Sequence, residues 1–101
     1  MTTNEILQAT ITAYCACTKC CGPKAADITA SEKAPIAGIT IAVPRSIPLG
    51  SRITIGAHAY IAQDRTARRF DGRFDIYFAT HKEALRFGKQ TNKVTIITHD
   101  P

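Results

Sequence analysis

A chain of 101 residues with 13 Lys and Arg against 8 Asp and Glu, and so a net charge of +5 and a pI near 9.3, has room for one compact core and is drawn toward polyanions such as nucleic acid, anionic lipid or an anionic cell wall. Its 45% hydrophobic and 21% charged residues match a soluble globular protein and exclude a disordered or fibrous one. No stretch approaches the roughly eighteen consecutive apolar residues of a membrane span, and the start "MTTNEILQATITAY" lacks the basic and apolar regions of a signal peptide.

In chain order, "ILQATITAY" (Ile6 to Tyr14) alternates threonine with apolar and β-branched residues and predicts a half-buried strand leading into "CACTKCCGPK". A small, polar loop is expected from Ala25 to Pro35. Strand character returns in "GITIAV" (Gly38 to Val43), and Pro44 and Pro48 then bracket a turn. Two short strands follow, Arg52 to Ile55 and Ala59 to Gln63, with Gly56 at the hairpin between them. The basic "RTARR" leads into the strand "RFDIYF". In "THKEALRFG", Thr80 is the expected N-cap, Ala84, Leu85 and Phe87 the expected buried positions and Gly88 the stop of a two-turn helix. "KVTIIT" closes the chain as a strand. About six strands, one short helix and no long βαβ alternation predict a small mainly-β barrel, a single domain over residues 1–101.

Asp75 stands out inside "RFDIYF". Regular alternation puts Phe74, Ile76 and Phe78 on one face and Arg73, Asp75 and Tyr77 on the other. An isolated acid in a strand is ordinarily a solvated one. Asp64, however, ends the preceding strand eleven residues earlier, so both carboxylates can return to one end of the barrel. Two acids in proximity raise one pKa and leave a protonated carboxyl at neutral pH, the state a general acid needs.

The segment "IPLGSRITIGAHAYIAQDRTARRFDGRFDIYFATHKEALRFG" resembles the 3D domain, named for three aspartates, which occurs in bacterial cell-wall proteins and in the catalytic part of membrane-bound lytic transglycosylase A. The matching elements are the Ile47 to Gly50 turn, a strand ending in Asp64, Gly72 three residues before Asp75, the aromatic strand, the "EAL" helix and the Phe87-Gly88 pair. The resemblance covers roughly Gly38 to Thr98, and "TITAYC" looks like the family's first strand. It implies a six-stranded double-psi β-barrel. Asp64 matches the middle aspartate and Asp75 the last, the catalytic acid of the lytic transglycosylases. The place of the first aspartate is held by Val43, and Asp71 is extra.

The implied chemistry is cleavage of the β-1,4 bond between N-acetylmuramic acid and N-acetylglucosamine without added water. Asp75 would be acid and then base, Asp64 its neighbour, and Tyr14, Arg65, Arg73 and Tyr77 the candidate substrate-binding residues. With Arg68 and Arg69, the arginines would meet muramyl carboxylates or peptide acids, a solvated basic loop being the ordinary alternative. The expected partner is the peptidoglycan glycan strand and the expected state a monomer, with no cofactor and no specific nucleic acid implied. Action on the wall, extracellular or periplasmic, without a signal peptide suggests a phage-borne, injected or trimmed protein.

Cys15, Cys17, Cys20 and Cys21 lie within seven residues. They suit zinc poorly, because finger-type sites draw two pairs from separated segments. Cys15 or Cys17 could bridge Cys20 or Cys21 outside the cell. A catalytic cysteine with His58, His81 or His99 as base would make a peptidase or amidase instead, although a structural role is the ordinary one for His81 at the helix start and for His99 in the terminal tail. A noncatalytic wall-binding module is the remaining alternative. Nucleic-acid binding fits the charge but lacks an accompanying motif.

Overall fold

The computed structural model describes residues 2–15, 34–66 and 72–99. Cys17, Cys20, Cys21, Arg68, Arg69, Asp71 and most of the loop expected from Ala25 to Pro35 lie outside them. Six strands and one helix follow in chain order: β1 (Thr2–Tyr14), β2 (Thr40–Val43), β3 (Arg52–Ile55), β4 (His58–Arg65), β5 (Phe74–Tyr77), α1 (His81–Phe87) and β6 (Gln90–His99). The strands close into a barrel in the order β1-β5-β2-β4-β3-β6. This is the six-stranded, mainly-β barrel with one short helix expected from the sequence.

Two pairings are parallel, β1 with β5 and β2 with β4, and the rest are antiparallel. Threonine and β-branched residues supply most of the strands because their stiff χ1 suits a pleated, half-buried surface. Inward positions form one aliphatic core around Phe74, with Ile11, Ile41, Val43, Ile53, Ile76 and Val94. Gly56, at φ 61°, occupies the two-residue turn joining Ile55 to its partner His58, where a positive φ matches the twist of the hairpin.

The outer strands are longer than their hydrophobic patterns suggest. β1 starts at Thr2 rather than Ile6, and its first ten residues pair in antiparallel register with His99 through Gln90 of β6. His99 therefore belongs to a strand, not to a tail. The polar starts "TTNE" and "QTN" carry little apolar alternation, so backbone pairing between the two strands, not burial, extends both of them. β4 likewise runs to Arg65, two residues beyond the expected end, while β2 begins at Thr40 because Gly38 and Ile39 are in a turn.

Helix α1 begins as predicted. Thr80 accepts a hydrogen bond from the Glu83 backbone N–H at 3.2 Å, and Gly88 ends the helix at φ 71°. Ala84 is buried and Phe87 packs on Phe78, their ring centroids 5.5 Å apart. Leu85, expected to be buried, is 68% exposed. At about 100° per residue a seven-residue helix buries one narrow stripe; with Ala84 and Phe87 on that stripe, Leu85 must turn outward.

Candidate functional site

Four neighbouring strands place Thr12, Asp75, Ala42 and Asp64 in one row across the barrel wall. Thr12 of β1 is in register with Asp75 of β5, Asp75 with Ala42 of β2, and Ala42 with Asp64 of β4. The two acids thus flank one small residue, their backbones two strand spacings, roughly 10 Å, apart. Ile41 and Val43 belong to the core cluster, so alternation turns Ala42 to the opposite side of the sheet. It is nevertheless only 2% exposed.

Asp64 reaches this face through an irregularity of β4. Tyr60 packs on the core and Ala62 belongs to it, and strict alternation would send Asp64 the same way. The β2–β4 register instead shifts between Ile41 and Ala42: Ile41 faces Ala62, Ala42 faces Asp64, and Gln63 is left without an opposite number. The extra residue re-aims the side chains that follow it, a known use of bulges beside functional sites. Gln63 is itself held, its Oε1 accepting from Thr40 Oγ1 at 2.6 Å.

Each acid has its own donors. Tyr14 donates its hydroxyl to Asp64 Oδ2 at 2.9 Å, and the Arg65 backbone N–H donates to Asp64 Oδ1 at 2.9 Å. Thr12 Oγ1 donates to Asp75 Oδ1 at 3.1 Å. The Tyr14 and Tyr77 rings meet edge to face, centroids 5.5 Å apart, which joins the β1 and β5 walls beside the acids. Asp75 is half-buried. Burial, before any other influence, pushes its carboxyl up to about 6; the Asp64 charge adds to the rise, while the Thr12 hydrogen bond and the Arg73 charge oppose it.

Arg65 is directed away from this row. Its Nη1 donates to the carbonyls of Pro44 at 2.7 Å and Ile47 at 2.5 Å, fastening the Pro44 to Ile47 turn to the end of β4. Arg65→Met, which keeps much of the stem but loses both charge-assisted bonds, is expected to cost about 2 kcal/mol of stability in a urea titration. Val43, at the place that the resemblance gives to a first aspartate, is fully buried in the core. A cavity of about 260 Å³ is lined by Leu7, Ile47, Phe74 and Ile96 with Glu5 and Ser46 among its other walls. Neither Asp64 nor Asp75 lines it, so the acid pair sits on the barrel wall rather than in this cavity.

Among the described cysteines and histidines, Cys15 and His81 come together, Sγ to Nδ1 3.8 Å. Cys15 is 2% exposed, which shields its sulfur from an incoming carbonyl. His58 Nε2 instead contacts the Gly38 carbonyl at 2.9 Å. The described residues contain no group of three metal-ligating side chains, and none of their helices is long and apolar enough to cross a membrane. Sequence reasoning passed over Thr12, Ala42 and Gln63. Thr12 carried a signal, since it lies two residues before Tyr14 and shares its strand face; the bulge at Gln63 carried none.

No protein-family model matches the chain. It is 30% identical over 97 residues, 94% of its length, to YabE of Bacillus subtilis (strain 168), whose name provisionally assigns that protein to cell wall shaping. The chain spans 24% of that relative. Among solved structures it is similar to E. coli lytic transglycosylase MltA, an Asp-to-Ala variant in its apo-2 form, with a TM-score of 0.58 and 18% identity over 73% of this chain and 28% of that one. The closed six-stranded barrel of this protein is therefore a fold that it shares with a lytic transglycosylase.

Proposed function

We propose that this chain acts on peptidoglycan in the cell wall as a lytic-transglycosylase-like domain, cutting the β-1,4 bond between N-acetylmuramic acid and N-acetylglucosamine. The observation that carries the reading is Asp75: a half-buried carboxyl held up to about 6 by burial and by the Asp64 charge, on a barrel wall of transglycosylase-like fold. The 30% identity to a protein named for cell wall shaping and the net charge of +5 support the same polymer, since bacterial wall is rich in anionic groups.

Protonated Asp75 donates to the glycosidic oxygen as the bond from the muramyl anomeric carbon to that oxygen breaks. The resulting carboxylate then takes the proton of the muramyl 6-hydroxyl, whose oxygen bonds to the anomeric carbon and closes a 1,6-anhydro ring. Asp75 ends protonated again, and no water is consumed. The nucleophile is tethered to the sugar, so its effective molarity is high and one acid suffices, whereas hydrolysis by two carboxylates needs a second group to activate water or to attack. Asp64 raises the affinity of Asp75 for its proton and is held by Tyr14. Tyr77, on the same strand face as Asp75, and Arg73, just before that strand, are the candidate sugar and carboxylate contacts.

Incubating the protein with purified sacculi and analysing the soluble products by mass spectrometry tests this. Anhydromuropeptides are the expected products. Reducing-end sugars would make it a hydrolase and cut stem peptides a cysteine enzyme. Binding to sacculi without products would make it a wall-binding module, the reading favoured by the one observation that Val43, fully buried, brings no third acid to the site.

A further inference from the structure

We infer that Thr12 is a positioning residue for the Asp75 carboxyl, directing its transferable proton to Oδ2 and restraining its affinity for that proton. The inference rests on the acid–base reading of Asp75 and adds to it a residue on a different strand. Parallel pairing of β1 and β5 puts Thr12 directly beside Asp75, and the Thr12 hydroxyl donates to Oδ1 at 3.1 Å. No other described side chain donates to this carboxyl.

A carboxyl whose Oδ1 accepts a hydrogen bond carries its own proton on the other oxygen, because a proton on Oδ1 would compete with the hydroxyl for the same lone pairs. Thr12 thus leaves Oδ2 as the atom that gives a proton to the glycosidic oxygen and later receives one. Once Asp75 is ionised the same bond becomes charge-assisted and stronger, so it favours the carboxylate and opposes burial. The other charged groups acting on Asp75 are Asp64 from β4 and Arg73 just before β5; β2 faces it with the uncharged Ala42. Without Thr12, burial and Asp64 would be opposed only by Arg73, and the acid would give its proton to the glycosidic oxygen too reluctantly in the first half of the reaction.

The test compares Thr12→Val with Thr12→Ser. Valine has nearly the shape of threonine and suits a strand, so the barrel is retained, and serine restores the hydroxyl. The carboxyl 13C shift of Asp75, followed through a pH titration, is expected to report a pKa about one unit higher in Thr12→Val and near the wild-type value in Thr12→Ser. Anhydromuropeptide release on the low-pH plateau, where Asp75 is protonated in every variant, is expected to fall about tenfold or more in Thr12→Val, its pH limb displaced upward with the titration, and to recover in Thr12→Ser. An unchanged titration and pH profile in a folded Thr12→Val protein would overturn the assignment of Thr12 alone, provided that Asp75→Asn has lost its products. Full activity in Asp75→Asn would instead overturn the acid–base reading, and the Thr12 inference with it.

Discussion

Asp75→Asn is expected to lower anhydromuropeptide release by about 10²–10⁴-fold and, in the same protein, to raise stability at pH 7. The two changes have one cause. Burial and the Asp64 charge move the Asp75 carboxyl from 3.8 to about 6, so the folded state binds this proton more tightly than the unfolded chain does. The linked stability is fully present below the unfolded value of 3.8, is lost progressively as pH rises through about 6, and is absent at pH 7. A shift of this size corresponds to about 3 kcal/mol at most, at 1.36 kcal/mol per unit.

Asparagine cannot supply a proton but keeps an oxygen to accept from Thr12, and it carries no charge to bury. The variant should therefore melt higher than wild type at pH 7, with the advantage shrinking as pH falls toward 4. Wild-type kcat/KM should be flat below about 6 and fall tenfold per pH unit above it, following the protonated fraction. Asp64→Asn should move that limb down only modestly, because burial ranks ahead of the Asp64 charge in raising Asp75. A variant less stable than wild type across this whole pH range would sink the claim that burial holds the proton on Asp75.

Inserting one alanine between Ile41 and Ala42, opposite Gln63, is expected to cost roughly 3–5 kcal/mol and to abolish activity, although Gln63 faces no reacting group. A partner for the unopposed residue restores regular alternation along both strands and directs the Asp64 side chain toward the core side occupied by Ala62. An acid forced toward aliphatic packing must stay protonated or remain an unpaired buried charge, and unpaired buried charges carry penalties of about this size. The insertion also turns Val43 out of the core, an effect separate from the Thr40–Gln63 hydrogen bond. Gln63→Ala removes that bond while keeping the bulge, and so should cost only about 1 kcal/mol and leave Asp75 titrating near its wild-type value. Urea denaturation of both variants, together with the Asp75 carboxyl titration in the alanine variant, checks the argument; equal stability losses would remove the bulge from it.

The stability of most small barrels is spread over the core, and here Phe74, Ile41 and Ile53 carry that part. The site is different, since its parts stabilise the fold weakly or cost it stability. A half-buried carboxyl beside a second acid is maintained against its own electrostatics, as expected where proton affinity is under functional demand.

Local physics in the chain was enough to specify six strands, the Gly56 hairpin, the Thr80 cap and the Gly88 stop, because each depends on side-chain shape, backbone freedom or a hydrogen bond spanning a few residues. The same holds for Asp75 as an acid on a strand whose other face, Phe74 and Ile76, enters the core. Tertiary structure alone decided what surrounds that acid. Thr12 meets Asp75 through a parallel pairing of strands 63 residues apart in sequence, Asp64 turns outward through an extra residue that only the β2–β4 register reveals, and Leu85 is exposed because the barrel accepts one narrow stripe of α1. Register and burial arise between distant segments, and no short-range pattern encodes them.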